Sequence, residues 1–296
     1  MIIQREIGLR IPQCLALRSK YVVGVTGAAR QYSAPPDPPV PRTEEPNTTT
    51  VSPRWLTDTK ARIGKCISFG MSPSLVDSAG NILRELGTDW RNLVAGSEGY
   101  LTSKERAGLH RQAIVWGEQD SMGHVNNVMY VRFAESGRCN WTRNIGQYFD
   151  PTHKSAWENL LTNRGIGLIL KSITVEFKFP MTWPDRISVY HKLRSRPDEN
   201  TRSMVLDVMI LSEGKQRPAA RCLEDVVVYD YKLGKKSRLE AFMLAQFKHI
   251  FDLQEAAKVE NLAKIQVIEG QVRFLETQSW DRPGAKEDLG SAVPSS

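Results

Sequence analysis

Residues 119 to 130 read Gln-Asp-Ser-Met-Gly-His-Val-Asn-Asn-Val-Met-Tyr, so an acid, Asp120, stands four residues ahead of an imidazole, His124. Two asparagines follow at once, and a helix-like apolar pattern follows them. A carboxylate held just before a helix start suits attack on a carbonyl. The acid acts as base or nucleophile, and the first-turn N–H groups, which have no partner inside the helix, receive the developing oxyanion. Asp120 is the candidate acid. The N–H groups near Gly123, Val125 and Asn126 are the candidate donors, and Gly123 lets the backbone approach a substrate closely. Asp, Asn and His are also what a helix start uses to cap itself, so capping or support is the alternative role for Asn126 and Asn127.

The elements that must position this run are legible around it. Just before it, Arg111 to Gly117 reads RQAIVWG and suits a strand. From Val125 the period lengthens, with Val128, Val131 or Arg132, Glu135 and Cys139 on one helical row. Tyr130, Phe133, Ala134, Gly137 and Trp141 form another row, and Gly146 offers a stop. Four β-rich runs come next, over 165–179, 186–195, 203–212 and 219–231, separated by turn formers at hairpin spacing. The order of strand, helix and four strands predicts an α+β fold, an antiparallel sheet wrapped around the one long helix that begins at the motif. Helical patterns over 55–66 and 73–86 place a helical N-terminal extension at 55–107, ahead of the main domain at 108–235. A charged amphipathic helix is predicted over 236–280, with Val259, Leu262, Ile265, Ile268, Val272 and Leu275 spaced three or four apart. It is expected to pack on its own domain or on a dimer mate.

The chain ends bound the setting. Residues 1–32 hold Arg5, Arg10, Arg18, Lys20 and Arg30 against the single acid Glu6, the basic, acid-poor pattern of a mitochondrial presequence, with cleavage expected after Tyr32. A matrix location follows as an expectation. Residues 33–54 are Pro- and Thr-rich and read as a linker, and 281–296 as a disordered tail. Removing 1–32 lowers the formal charge from +7 to +3, which does not call for a nucleic-acid footprint. A local cationic rim for a phosphate-bearing ligand stays open. No transmembrane segment is expected. The cysteines at 14, 66, 139 and 222 stand singly, so neither a disulfide framework nor a zinc site is indicated, and no metal or cofactor is expected. Cys222 reads as core. His110, His153, His191 and His249 have no acid or nucleophile at suggestive spacing and read as surface or strand residues.

The order VWGEQDSMGHVNNVMYVRFAESGR, followed by the four-strand meander, resembles the hot-dog-fold thioesterases of the 4-hydroxybenzoyl-CoA thioesterase type, and more closely a fungal mitochondrial group of them, over about residues 108 to 232. That resemblance implies hydrolysis of an acyl-CoA or acyl-carrier-protein thioester. Asp120 matches the family's catalytic acid, with His124 and Glu135 as further catalytic candidates. Gly123, Val125, Asn126, Asn127 and Tyr130 are the implied substrate-binding residues. It also implies a homo-oligomer, a dimer or tetramer, because such sites form where two subunits meet. Plant acyl-carrier-protein thioesterases carry Asp-x-Asn-x-His in this run, and here the middle position is Met122. Glu135 lies fifteen residues after Asp120 and reaches a site only from the helix flank; an ion pair with Arg138, three residues on, is its alternative role. The rival reading for the whole protein is a non-catalytic hot-dog scaffold or acyl-carrier binder.

Overall fold

The computed structural model describes residues 51–287. The expected presequence, most of the expected linker and the end of the expected tail lie outside the described residues. Three helices come first: α1 (Trp55–Ser68), α2 (Pro73–Thr88) and the short α3 (Trp90–Val94). Pro73 stands at the start of α2, where its missing N–H costs nothing.

Strand β1 (Leu109–Ala113), helix α4 (Asn127–Asn144), the short helix α5 (Lys154–Asn159) and strands β2 (Ile166–Phe177), β3 (Arg186–Leu193), β4 (Ser203–Ser212) and β5 (Arg217–Asp230) follow. The strands pair antiparallel in the order β1-β3-β4-β5-β2, and a two-residue β6 (Lys235–Lys236) adds to β5. Successive strand residues point to opposite faces. Ile187 and Val189 of β3 and Val208 and Ile210 of β4 therefore pack with Tyr130, Phe133 and Ala134 of α4. Tyr190, Met209 and Leu211, the alternating set, join Trp55, Ile63, Leu86 and Trp90 on the other face. Of the two rows on α4, the sheet buries the one with Tyr130, Phe133, Gly137 and Trp141, while Val128 is 69% exposed. The sheet wraps around α4, as the sequence predicts.

Helix α4 lies unusually close to the sheet because two glycines meet. A Cβ on Gly108 would stand 2.4 Å from the Gly137 carbonyl oxygen, and one on Gly137 would stand 2.9 Å from both His191 and Val189. Gly108→Ala must push the helix backbone away and is expected to cost about 1–3 kcal/mol, the range for overpacking. Gly80→Ala in the middle of α2, where a Cβ would meet nothing within 4 Å, is expected to add about 0.5–1 kcal/mol instead. Thermal melting of the two variants checks both signs. A Gly108→Ala protein that melts no lower than the parent would show that the helix is not clamped here.

The last helix, α6 (Ala241–Gln278), has 38 residues and is about 57 Å long at 1.5 Å per residue. Its first part buries Met243, Phe247 and Ile250 with Trp141 and Leu193. Its second part buries Ile265, Ile268, Val272 and Leu275 with α1 to α3 and the outer sheet face. Between them Gln254 accepts a hydrogen bond from the Leu193 N–H and donates one to the Leu193 carbonyl, both at 3.0 Å. Arg62 of α1 bridges Glu269 and Glu276 of α6 at 2.6 and 2.7 Å. The helix expected over 236–280 thus packs on its own domain.

Strand β1 is bulged. Its register against β3 shifts between Leu109 and Gln112, and Arg111 within the bulge has φ +50. That left-handed conformation costs a non-glycine residue about 1–2 kcal/mol.

Candidate active site

The candidate site is a tight loop folded on its own carboxylate. Oδ1 of Asp120 accepts the N–H groups of Met122 at 2.8 Å and His124 at 3.3 Å. The Asp120 N–H donates to the His124 carbonyl at 2.8 Å, the Gly123 N–H donates to the Asp120 carbonyl at 3.1 Å, and Gly123 has φ +74. An Asx turn with glycine at the left-handed position explains why Asp and Gly stand three apart here. The second carboxylate oxygen, Oδ2, has no partner among the described residues, and Asp120 is half-buried.

The donors differ from those read in the sequence. The N–H groups of Gly123, Val125 and Asn126 are all engaged, by the carbonyls of Asp120, Met181 and Glu118 at 3.1, 2.8 and 2.9 Å. Asn126 is the N-cap, its side chain accepting the Val128 N–H at 3.0 Å, and its carbonyl takes the Met129 N–H. In the first turn of α4 this leaves the N–H of Asn127, an exposed residue, as the donor that no described group engages. Capping therefore accounts for Asn126, and the exposed Asn127 stands at the helix N-terminus.

His124 is half-buried, and it is its backbone N–H, not its ring, that meets Asp120. Tyr130, expected against substrate, is 2% exposed; its hydroxyl accepts the Met181 N–H at 3.2 Å and its ring meets Phe177 edge-on at 5.1 Å. It supports the site wall from behind. Burial pushes its phenol up. Val125 is likewise core, 3% exposed, with its N–H held by the Met181 carbonyl.

Glu135 does not join Asp120 within one chain. It lies eight residues into α4, about 12 Å along the axis from Asn127, and it is exposed on the rim of a separate pocket of about 350 Å³ with Cys139, Thr142, Leu168 and Leu170. Its expected ion pair with Arg138 is absent among the described residues. Arg138 turns inward instead and donates to Glu224 of β5 at 2.5 Å, a carboxylate with no exposure. His191, read from sequence as isolated, lies beside this pair with Nε2 3.7 Å from Glu224 and its ring stacked 6.0 Å from Trp141. Burial, then Arg138, push its pKa down to about 3, so the ring is neutral. Burial pushes the Glu224 carboxyl up against the pull of Arg138. His153 also has a partner after all: Asp150, three residues back, at 2.8 Å. Cys222 is core, with its thiol pushed up to about 12 by burial, which removes it as a nucleophile.

Two residues next to the loop were missed in the sequence. The Gln119 side chain accepts the Trp183 N–H at 2.6 Å, and Met181 holds Val125 and Tyr130. Both partners belong to the stretch MTWPD, whose turn formers read only as a connection between β2 and β3.

Residues 114–247 match the family described as the thioesterase-like superfamily. That segment, somewhat under half of the chain, is similar to the thioesterase superfamily. The expected hot-dog fold and the expected class of enzyme, a thioesterase, both stand on that match. The match starts just before the Asp120 loop and runs into the first turns of α6. No curated protein sequence matches the chain. Among solved structures, a thioesterase from Thermus thermophilus, complexed with coenzyme A and zinc, is 16% identical, covers 48% of this chain and 92% of its own, and has a TM-score of 0.37. The DHNA-CoA thioesterase of Staphylococcus aureus is 16% identical, covers 55% of this chain and 92% of its own, and has a TM-score of 0.36. Likenesses that distant say nothing of this domain's chemistry.

Proposed function

We propose that the protein hydrolyses acyl thioesters carried on coenzyme A or an acyl-carrier protein, with Asp120 as base or nucleophile and the Asn127 N–H as the oxyanion donor. The observation that carries this reading is the state of the Asp120 carboxylate. One oxygen is spent on building the loop, and the other lies just ahead of a helix N-terminus; among the described residues neither it nor the Asn127 N–H has a partner. His124 stands in the same loop and is assigned to orienting the substrate or its leaving group. Gly123 and the exposed Asn126 and Asn127 border the approach.

Completion of the site by a second copy belongs to the same proposal. β2 is an edge strand of 12 residues with half-buried Leu168, Leu170, Ile173 and Val175, a length that invites pairing. The opposite edge, β1, has only 5 residues and is bulged. The outer sheet face is filled by α1 to α3 and α6, which favours a dimer through β2 over face-to-face stacking into a tetramer. A two-chain mass in light scattering at micromolar concentration is the expected result, and a monomer would count against a shared site. The basic residues 1–32 support a mitochondrial location, tested by whether they carry a fused reporter into the organelle.

The decisive assay is thiol release from a panel of short, long and aromatic acyl-CoAs by protein beginning at Ser33. Turnover on at least one member is the expected result. The Asx turn also gives Asp120 a purely structural reason to exist, which favours the scaffold reading as the second choice. Failure of the whole panel would move the assignment there.

A further inference from the structure

We propose that the cleft between α2, α3 and the β1–β3 edge binds the phosphate-bearing nucleotide end of coenzyme A, with Arg111 and Arg186 as anion ligands and Trp183 as the surface on which the base stacks. This rests on the thioester reading of the Asp120 loop and selects coenzyme A over a protein carrier. The cleft holds about 690 Å³, the size of a small-molecule site, and Trp90, Arg91, Arg111, Trp183, Arg186 and Glu213 line it.

Its charges do not cancel. Glu213 is taken by Arg91, which bonds both of its oxygens, and by the Ser188 hydroxyl at 2.6 Å. Arg111 stands 3.7 Å from the same carboxylate as a second cation and keeps 57% of its side chain exposed. Asp185 accepts the Gly214 and Arg186 N–H groups at 2.9 and 2.6 Å and the Ser212 hydroxyl, so it is spent on the turn. The Arg186 guanidinium meets only a neutral group among the described residues, the Arg111 carbonyl at 3.2 Å. Three guanidiniums thus face two carboxylates that are already occupied. Exposed His110 beside them has its pKa lowered, first by burial and then by Arg91, with Arg111 and Lys104 adding and Glu213 opposing.

The backbone agrees with a built site. Arg111 sits in the left-handed conformation of a bulge, the device that re-aims one side chain of a strand, and such strain gathers where function needs it. Guanidinium forks match phosphate oxygens in pairs, and Trp183, 49% exposed, offers an indole face for a purine. The cleft also adjoins the reacting loop. Trp183 donates to Gln119, the residue before Asp120, and Arg186 follows three residues later, at most about 10 Å along the chain. The flexible pantetheine arm spans that gap, putting the thioester at Asp120 while the phosphates lie in the cleft.

Titration calorimetry with free coenzyme A tests the cleft without hydrolysis. The double variant Arg111→Gln/Arg186→Gln is expected to bind coenzyme A about 10-fold or more weakly, the scale of one lost charged contact. Its KM for an acyl-CoA is expected to rise at least about 10-fold more than its KM for the same acyl group on N-acetylcysteamine, which has no phosphate. Arg111→Gly keeps the stability question separate: it relieves the left-handed strain and is expected to raise the melting temperature while weakening coenzyme A binding. Equal coenzyme A binding by parent and double variant would overturn the proposal, as would a KM that rises equally on both substrates. A parent that binds coenzyme A through these arginines and hydrolyses nothing would instead sink the thioesterase reading and leave the cleft standing.

Discussion

Asp120→Asn is expected to fold and assemble like the parent and to lose thioester hydrolysis by about 10²-fold or more, the scale of removing a positioned acid–base group or nucleophile. The hydrogen bonds make this variant a clean one. The oxygen that holds the loop accepts the Met122 and His124 N–H groups, and an amide oxygen accepts them equally well. What changes is the unpartnered oxygen, replaced by an amide nitrogen that neither takes a proton nor attacks a carbonyl. If Asp120 only shapes the turn, the variant keeps its rate and loses under about 1 kcal/mol. kcat/KM on any acyl-CoA the parent cleaves, measured beside a thermal melt, separates the two, and equal rates would remove Asp120 from the mechanism. His124→Ala is expected to cost less, since its ring makes no bond to the carboxylate.

Arg138→Met is expected to destabilise the fold by about 3–5 kcal/mol, because it leaves Glu224, which has no exposure, as an uncompensated buried charge. Arg138→Met/Glu224→Leu should recover most of that, since an apolar pair of similar volume is often neutral or better. The sign with pH follows from proton binding. Without the guanidinium the buried Glu224 carboxyl is pushed further up, so the folded variant holds a proton that the unfolded chain releases. Its deficit therefore grows as pH rises above the ordinary carboxylate range and shrinks as pH falls toward it. His191 acts the other way in the parent. Its folded pKa of about 3 lies below the unfolded value of 6.5, so its neutral burial contributes fully above pH 6.5 and is lost as pH falls toward 3. His191→Leu is expected to flatten that acid slope by up to about 1.4 kcal/mol per pH unit. Chemical denaturation at pH 5, 6 and 7 reads both effects, and equal midpoints for parent and Arg138→Met would show that the pair contributes nothing.

Most of the architecture is legible because periodicity and turn chemistry are local. Alternating apolar residues in RISVYHKL and SMVLDVMILS, with turn formers between, fix two strands and their order, and the three- and four-residue spacing on α4 separates the buried row from the open one. What the sequence hides depends on partners far along the chain. Arg138 has Glu135 at ion-pair spacing on its own helix, yet it bonds Glu224, 86 residues away, because Arg138 faces the sheet and Glu135 faces out. Gly123, Val125 and Asn126 have the types and places of oxyanion donors, and only the loop's closure on Glu118, Asp120 and Met181 shows that their N–H groups are occupied. Tyr130 falls at the family's spacing and still lies in the core, since a helical row decides burial by angle and not by distance from the motif.

The placement of α6 has a consequence for how the chain reaches this state. Arg62 meets Glu276 across 214 residues, and Trp55 bonds Glu269 across the same separation. The N-terminal helices are thus made first but find much of their apolar cover, Ile265, Ile268, Val272 and Leu275, only after the whole sheet has been synthesised. During translation Ile63, Leu86 and Trp90 lack that cover, and loop closure over such a span is slow. The sheet and α4 form a core of shorter span that can condense earlier, with the helical layer docking as a second step. Chaperone contact on the growing chain is accordingly expected at α1 to α3, with release only once α6 has left the ribosome.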